Sequence, residues 1–179
     1  MSSMFINVTL TVLLAASPSV LKGGTSAKRA DESRTIFQEL ESEAAALHRE
    51  ADQFVAITSN PNLSAESHLT ELEAMKQDIN SMGREIRSLE AERETLPSWE
   101  QQAIAKALPL LKDSAANLDS AINFYDDNRP HLWMGSAYRN YARNVNQDSE
   151  RLEKTLNHAL KLDKIHRQEQ RLNETVASL

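Results

Sequence analysis

Apolar residues recur along this chain at alternating intervals of three and four, the spacing of side chains that share one face of an α-helix. In the first such run Phe37, Leu40, Ala44, Leu47, Ala51 and Phe54 follow one another at 3, 4, 3, 4, 3. A second run, Leu72, Met75, Ile79, Met82, Ile86 and Leu89, keeps the alternation until Arg93 interrupts it before Leu96. The third takes Ile104, Leu108, Leu111, Ala115, Leu118, Ile122 and Tyr125 as its seam. The fourth takes Tyr138, Tyr141, Val145, Leu152, Leu156, Ala159 and Leu162, after which "KLDKIHRQEQRL" dilutes the apolar face. Narrow stripes of this kind predict four helices, each burying one seam against its neighbours in coiled-coil-like packing.

The interruptions predict where the chain turns. In "SNPNLSAESH" Pro61 biases Asn60 away from helical angles, Ser64 is placed to cap the second helix, and Leu63 to staple against its first turns. "LPSWEQQ" ends that helix at Pro97 and starts the third, with Ser98 and Gln101 spelling a capping box. Pro109, inside the third helix, predicts a bend near Ala105. Gly135 and Ser136 supply a flexible entry and a cap for the fourth. Short connections require neighbouring helices to run antiparallel, so the expected fold is all-α: an up-down-up-down four-helix bundle. Its last helix is the longest. The 44 residues from Ser136 to the end would span about 65 Å, against roughly 45–50 Å for the first two helices, so this helix overhangs the bundle or frays.

Composition agrees: of 179 residues only 4 are Gly and 5 Pro, while residues that lose little entropy in a helix dominate. The absence of cysteine excludes disulfides, thiolate metal sites, covalently attached haem and a lipoprotein anchor. Residues 1–24, "MSSMFINVTLTVLLAASPSVLKGG", read as a signal peptide or a disordered leader, and residues 28–179 as the bundle domain. The apolar run Met4–Ala16 covers about 20 Å of helix, short of the roughly 30 Å hydrocarbon layer. No stable membrane span is expected, and export to the periplasm or beyond the cell is.

Charge sharpens the arrangement. Residues 28–59, 64–96 and 98–127 carry −3, −4 and −3, while residues 128–179 carry +3 in a chain of net charge −6. An antiparallel bundle lays the basic fourth helix against the acidic first and third, so charge complementarity favours that order. Acidic residues interleave the basic ones throughout the fourth helix, which weighs against nucleic acid as a partner. A protein partner, met through helix faces, is the expectation, with the oligomeric state open.

No catalytic, metal or cofactor constellation emerges. Carboxylate-bridged metal bundles need Glu-x-x-His, whereas Ala45, Ala65, Asn128, Thr155 and Asp163 stand three residues before the five histidines, which are expected to face solvent. Met75 and Met82 read as core filler rather than haem ligands. No nucleophile grouping and no glycine-rich phosphate loop is present, so the chain reads as non-enzymatic. The stretch "NFYDDNRPHLWMGSAYRNYA" holds five of the nine aromatics. Two readings compete for it. Trp133 plugs one end of the bundle as Trp99 plugs the other, or Arg129, His131, Trp133, Tyr138 and Tyr141 converge on a small-molecule or metal-sensing pocket.

Taken together, the leader, "SNPNLSAESH", "SMGREI", "SWEQQAI" and the "LW" element before the fourth helix resemble a loose group of small exported bacterial helical-bundle proteins with no assigned function. That resemblance implies a fold and an envelope location, and no catalytic residues. The periplasmic stress-response chaperones are also small helical exported proteins, but their repeated L-T-x-x-Q motif is missing, since "LTELE" lacks the Gln.

Overall fold

A computed structural model describes residues 26–60, 62–129 and 135–178, with side chains placed from residue 31 onward. Four helices account for nearly all of it: α1 (Ser26–Thr58), α2 (Ala65–Ala91), α3 (Ser98–Asn128) and α4 (Ser136–Ala177), with a 3-10 turn at Arg93–Thr95. At 42 residues α4 is the longest. Cross-helix pairs fix the directions. Asp52, Glu41 and Arg34 on α1 bond to Asn146, Asn157 and Asp163 on α4, so numbers fall on one helix as they rise on the other. Helices α1 and α4, and α3 and α4, share the most extensive contacts, followed by α1 with α2 and then α2 with α3. The basic helix therefore lies between the acidic α1 and α3, as charge complementarity requires.

All six seam residues expected on α1 are fully buried, and the six expected on α2 are at most 7% exposed. On α3 four of the expected residues, Ile104, Leu111, Leu118 and Tyr125, lie on the buried stripe, and at the positions between them the inward residue is the one before the expected one. Ile104, Ala107, Leu111, Ser114, Leu118, Ala121 and Tyr125 point inward, while Leu108, Ala115 and Ile122 flank the core half-buried. On α4 the interior positions are Tyr138, Ala142, Val145, Ser149, Leu152, Leu156, Ala159 and Asp163, and Tyr141 and Leu162 stand beside them. The physical reason is size. Ala107, Ser114 and Ala121 face a helix that itself turns Ala142 and Ser149 inward, so small side chains let the two backbones approach. At those positions a stripe chosen for bulk lands one position away. The missing bulk comes from α2, whose Met75, Ile79, Met82 and Ile86 fill the interior opposite Ala44 and Ala51 of α1.

The turns follow their expected logic with local exceptions. Ser64 caps α2, its Oγ accepting from Ser67 N at 3.2 Å. Leu63 remains 39% exposed and does not staple. Ser98 is the first residue of α3 rather than its cap; Pro97 holds the cap position, and Gln101 reaches past it to donate to the Leu96 carbonyl at 2.9 Å. Helix α3 continues through Pro109, which stands with Ala105 on the solvent side, where a missing ladder bond is cheapest. Gly135, not Ser136, caps α4. A Cβ on Gly135 would lie 2.3 Å from Phe124 Cζ, so glycine is required there by close approach to an aromatic ring. Helix α4 stays helical to Ala177, and its residues past Asp163 are largely exposed, including Ile165, Leu172 and Val176. It overhangs the bundle.

Candidate functional site

Three places concentrate polar chemistry: the two ends of the bundle and the outer face of the α1–α2 pair. At the first end Tyr138, in the first turn of α4, is completely buried. Phe54 meets its ring edge-on at 5.4 Å, Phe124 stacks on it at 5.3 Å, and its hydroxyl lies 3.3 Å from His68 Nδ1. Burial pushes the Tyr138 phenol upward and the His68 imidazole below its usual range, because the interior penalises both charged forms. His68 is a correction to the expectation of five solvent-facing histidines: it is 3% exposed and occupies the next seam position before Leu72. Its spacing of four from Leu72 was the available signal.

Of the residues singled out around this end, Tyr138 thus belongs to the packed interior and Tyr141 lies half-buried beside it. Arg129 is on the surface, 5.0 Å above the Tyr125 ring and paired with Asp126 at 3.2 Å. His131 and Trp133 lie outside the described residues, and so does the choice between plug and pocket for Trp133.

At the opposite end α1, α3 and α4 bring together a buried polar knot. Ser33 Oγ donates to Glu100 Oε1 at 3.0 Å, while Asp163 Oδ2 accepts from Arg34 Nε at 3.1 Å and from Arg167 at 2.7 Å. Glu100 is 1% exposed and its Oε2 has no partner. Desolvation raises its pKa most, with the Asp163 charge adding to the rise and the Ser33 hydrogen bond and Arg34 opposing it. Trp99 packs on Phe37 with ring centroids 5.3 Å apart and forms one wall of a cleft of about 250 Å³. Lys106, His158, His166, Gln102 and Thr155 also line that cleft, and among the described residues no carboxylate does.

The third place was not anticipated as a site. Glu43 and Glu50 are seven residues apart on α1, and Glu71, Asp78 and Glu85 are seven apart on α2, so each set forms a column flanking the seam. Because the helices are antiparallel, Glu50 meets Asp78 and Glu71, and Glu85 meets Glu43 and Glu39. One oxygen each of Glu43, Glu50, Asp78 and Glu85 is buried without a hydrogen-bond partner. Gln53 donates to Glu71 at 2.7 Å. Desolvation first, and then the facing carboxylates, push both Glu50 and Glu85 up to about 7. Arg49 and Arg84, both exposed, oppose the shift. The seven-residue repeat of acids was visible in the chain; which acids would face one another was not.

Among the described residues no group of three or more His, Asp or Glu side chains is arranged to hold a metal ion, and no helix is long and apolar enough to cross a membrane. Compared with protein-family models, curated proteins and solved structures, the chain matches none.

Proposed function

We propose that this chain is a non-enzymatic interaction bundle of the cell envelope that offers the acidic face of α1 and α2 to a basic protein partner. The observation that carries this reading is the pair of facing acidic columns, in which the half-buried Glu43, Glu50, Asp78 and Glu85 each keep one buried oxygen without a hydrogen-bond partner. On the α4 side the acids Glu153 and Asp163 already have basic neighbours, His48, Arg34 and Arg167, whereas the α1–α2 acids chiefly face one another. A Lys- or Arg-bearing helix laid along that face would add opposite charge beside the facing acids and bond to their accessible oxygens. Export rests on the Met4–Ala16 run followed by small residues.

Two experiments test this. Fractionation should find the protein outside the cytoplasm; cytoplasmic protein with Met1 intact would sink the envelope part. Cross-linking in the envelope fraction should capture a partner through the α1–α2 face, and Glu50→Gln with Glu85→Gln should abolish that capture; unchanged capture would sink the acidic-face part.

A second reading, small-molecule binding, draws support from the carboxylate-free cleft at Trp99, where Lys106, His158 and His166 would favour an anion against the indole face. Tryptophan fluorescence titration with inorganic phosphate and with an aromatic carboxylate tests it, and no response specific to Lys106 removes it.

A further inference from the structure

The acidic columns have a consequence for the bundle itself that stands whether or not a partner binds. Facing carboxylates at seven-residue spacing on antiparallel helices are in like-charge contact when ionised, and each unpartnered buried oxygen is then an uncompensated acceptor. Protonation reverses both conditions. A carboxyl group that carries its proton can donate, and it no longer repels a facing carboxylate. The groups around Glu50 are Asp78 and Glu71 from α2 and Arg49 from its own helix; those around Glu85 are Glu43 and Glu39 from α1 and Arg84 from its own helix. Arg49 also reaches Asp78 across the helix pair and opposes the rise in its pKa, which desolvation causes.

Helix α2 is also the least anchored of the four. Its contacts with α1 and α3 are less extensive than those α4 makes with the same two helices. Its polar ties reach α1 through Gln53 to Glu71 and α4 through His68 to Tyr138, near its N-terminal end.

We propose that the α1–α2 pairing is a proton-operated latch: protonation within the facing acidic columns closes the two helices on each other, and loss of those protons loosens α2. The sign follows from linkage. A carboxyl whose folded value is raised stabilises the fold most below its unfolded value, and that stabilisation is lost as pH rises through the folded value. With Glu50 and Glu85 at about 7, the latch opens between weakly acidic and weakly basic pH.

The test compares the full chain with Glu50→Gln/Glu85→Gln, which mimics the protonated acids in shape, by urea midpoint and by helix-resolved hydrogen exchange at pH 5 and pH 8. His68, Glu100 and Asp148 also titrate, but they are present in both proteins and cancel in the difference. Expected are coincident midpoints at pH 5, a higher midpoint for the variant at pH 8, and intrinsic-rate-corrected exchange in α2 that accelerates about tenfold relative to α4 in wild type only. Glu73→Gln, on the exposed face of α2, should follow wild type. An equal gap at both pH values, acceleration shared equally by α2 and α4, or the same gain from Glu73→Gln would overturn the latch. No partner enters the experiment, so its failure would leave the interaction reading untouched.

Discussion

Helix α1 meets α4 on one side and α2 on the other with the same antiparallel geometry and opposite chemistry. Toward α4 its polar residues find complements: His48 lies 2.7 Å from Glu153, Arg34 3.1 Å from Asp163, and Asn146 and Asn157 donate to Asp52 and Glu41. Toward α2 the flanking positions set Glu43 and Glu50 against Asp78 and Glu85. Both interfaces bury a full apolar stripe, so the difference is not in what drives them together. It is in what each does when conditions change. Matched pairs lower the cost of ordering side chains and fix register, whereas facing acids tie the interface to the proton concentration. One interface can serve as a permanent joint while the other remains adjustable.

Breaking the apolar stripe on the adjustable side should have the largest effect. Ile79→Asp places an unpaired carboxylate at a buried position and is expected to cost on the order of 3 kcal/mol or more, read from the denaturant midpoint. A midpoint equal to wild type would mean that this stripe of α2 faces water. Next comes the joint itself. Asp163→Asn removes the charge that Arg34 and Arg167 share at a site 7% exposed and should cost about 1–3 kcal/mol, chiefly because Arg167 loses its counter-ion while Arg34 keeps only the exposed Asp31; no change would show the knot to be ornamental to stability.

The remaining predictions sharpen the contrast rather than break it. Burial holds the His68 imidazole below its ordinary value, so its contribution is fully present above about pH 6.5, its unfolded value, and is lost as pH falls through the lowered folded value. The stability of wild type relative to His68→Gln should therefore decline on acidification from pH 7 to pH 5, opposite in sign to the acidic columns. A constant difference would place His68 outside the core. Asp78→Lys gives Glu50 and Glu71 a cation, partly offset by the neighbouring Arg49, and should raise stability at pH 8 by up to about 1 kcal/mol, the range of partly exposed pairs. Stability lowered there instead would remove like-charge contact as the governing feature. Smallest of all, Ser114→Ala removes a buried hydroxyl that has no partner and should be neutral or gain up to about 1 kcal/mol; a clear loss would reveal a hydrogen bond at that oxygen.

The number of helices, their antiparallel order and the placing of the basic helix between two acidic ones were determined by the sequence alone. Alternating spacings of three and four bury one stripe whatever the partner, and Pro97, Ser64 and Gly135 leave short connections with one way to run. On α1 and α2 even the inward residues were legible, because each carries large apolar groups on a single stripe. On α3 and α4 they were legible only in part: Ile104, Leu111, Leu118 and Tyr125, and Tyr138, Val145, Leu152, Leu156 and Ala159, face inward as expected, and the remaining expected residues do not. Apolar character there spreads over adjacent stripes, and the choice between Leu108 and Ala107, or Tyr141 and Ala142, depends on how near the facing backbone comes. Only packing decides that. The buried polar groups follow the same rule. His68 and Asp163 continue the seam spacing, but a histidine or carboxylate is costly to bury without a partner, and although Arg167 lies one turn from Asp163, Tyr138 and Arg34 are distant in sequence. The acidic columns lie between these cases. Their seven-residue repeat is a property of the chain, while the meeting of Glu50 with Asp78, and of Glu43 with Glu85, is a matter of register between two helices, which the tertiary structure alone sets.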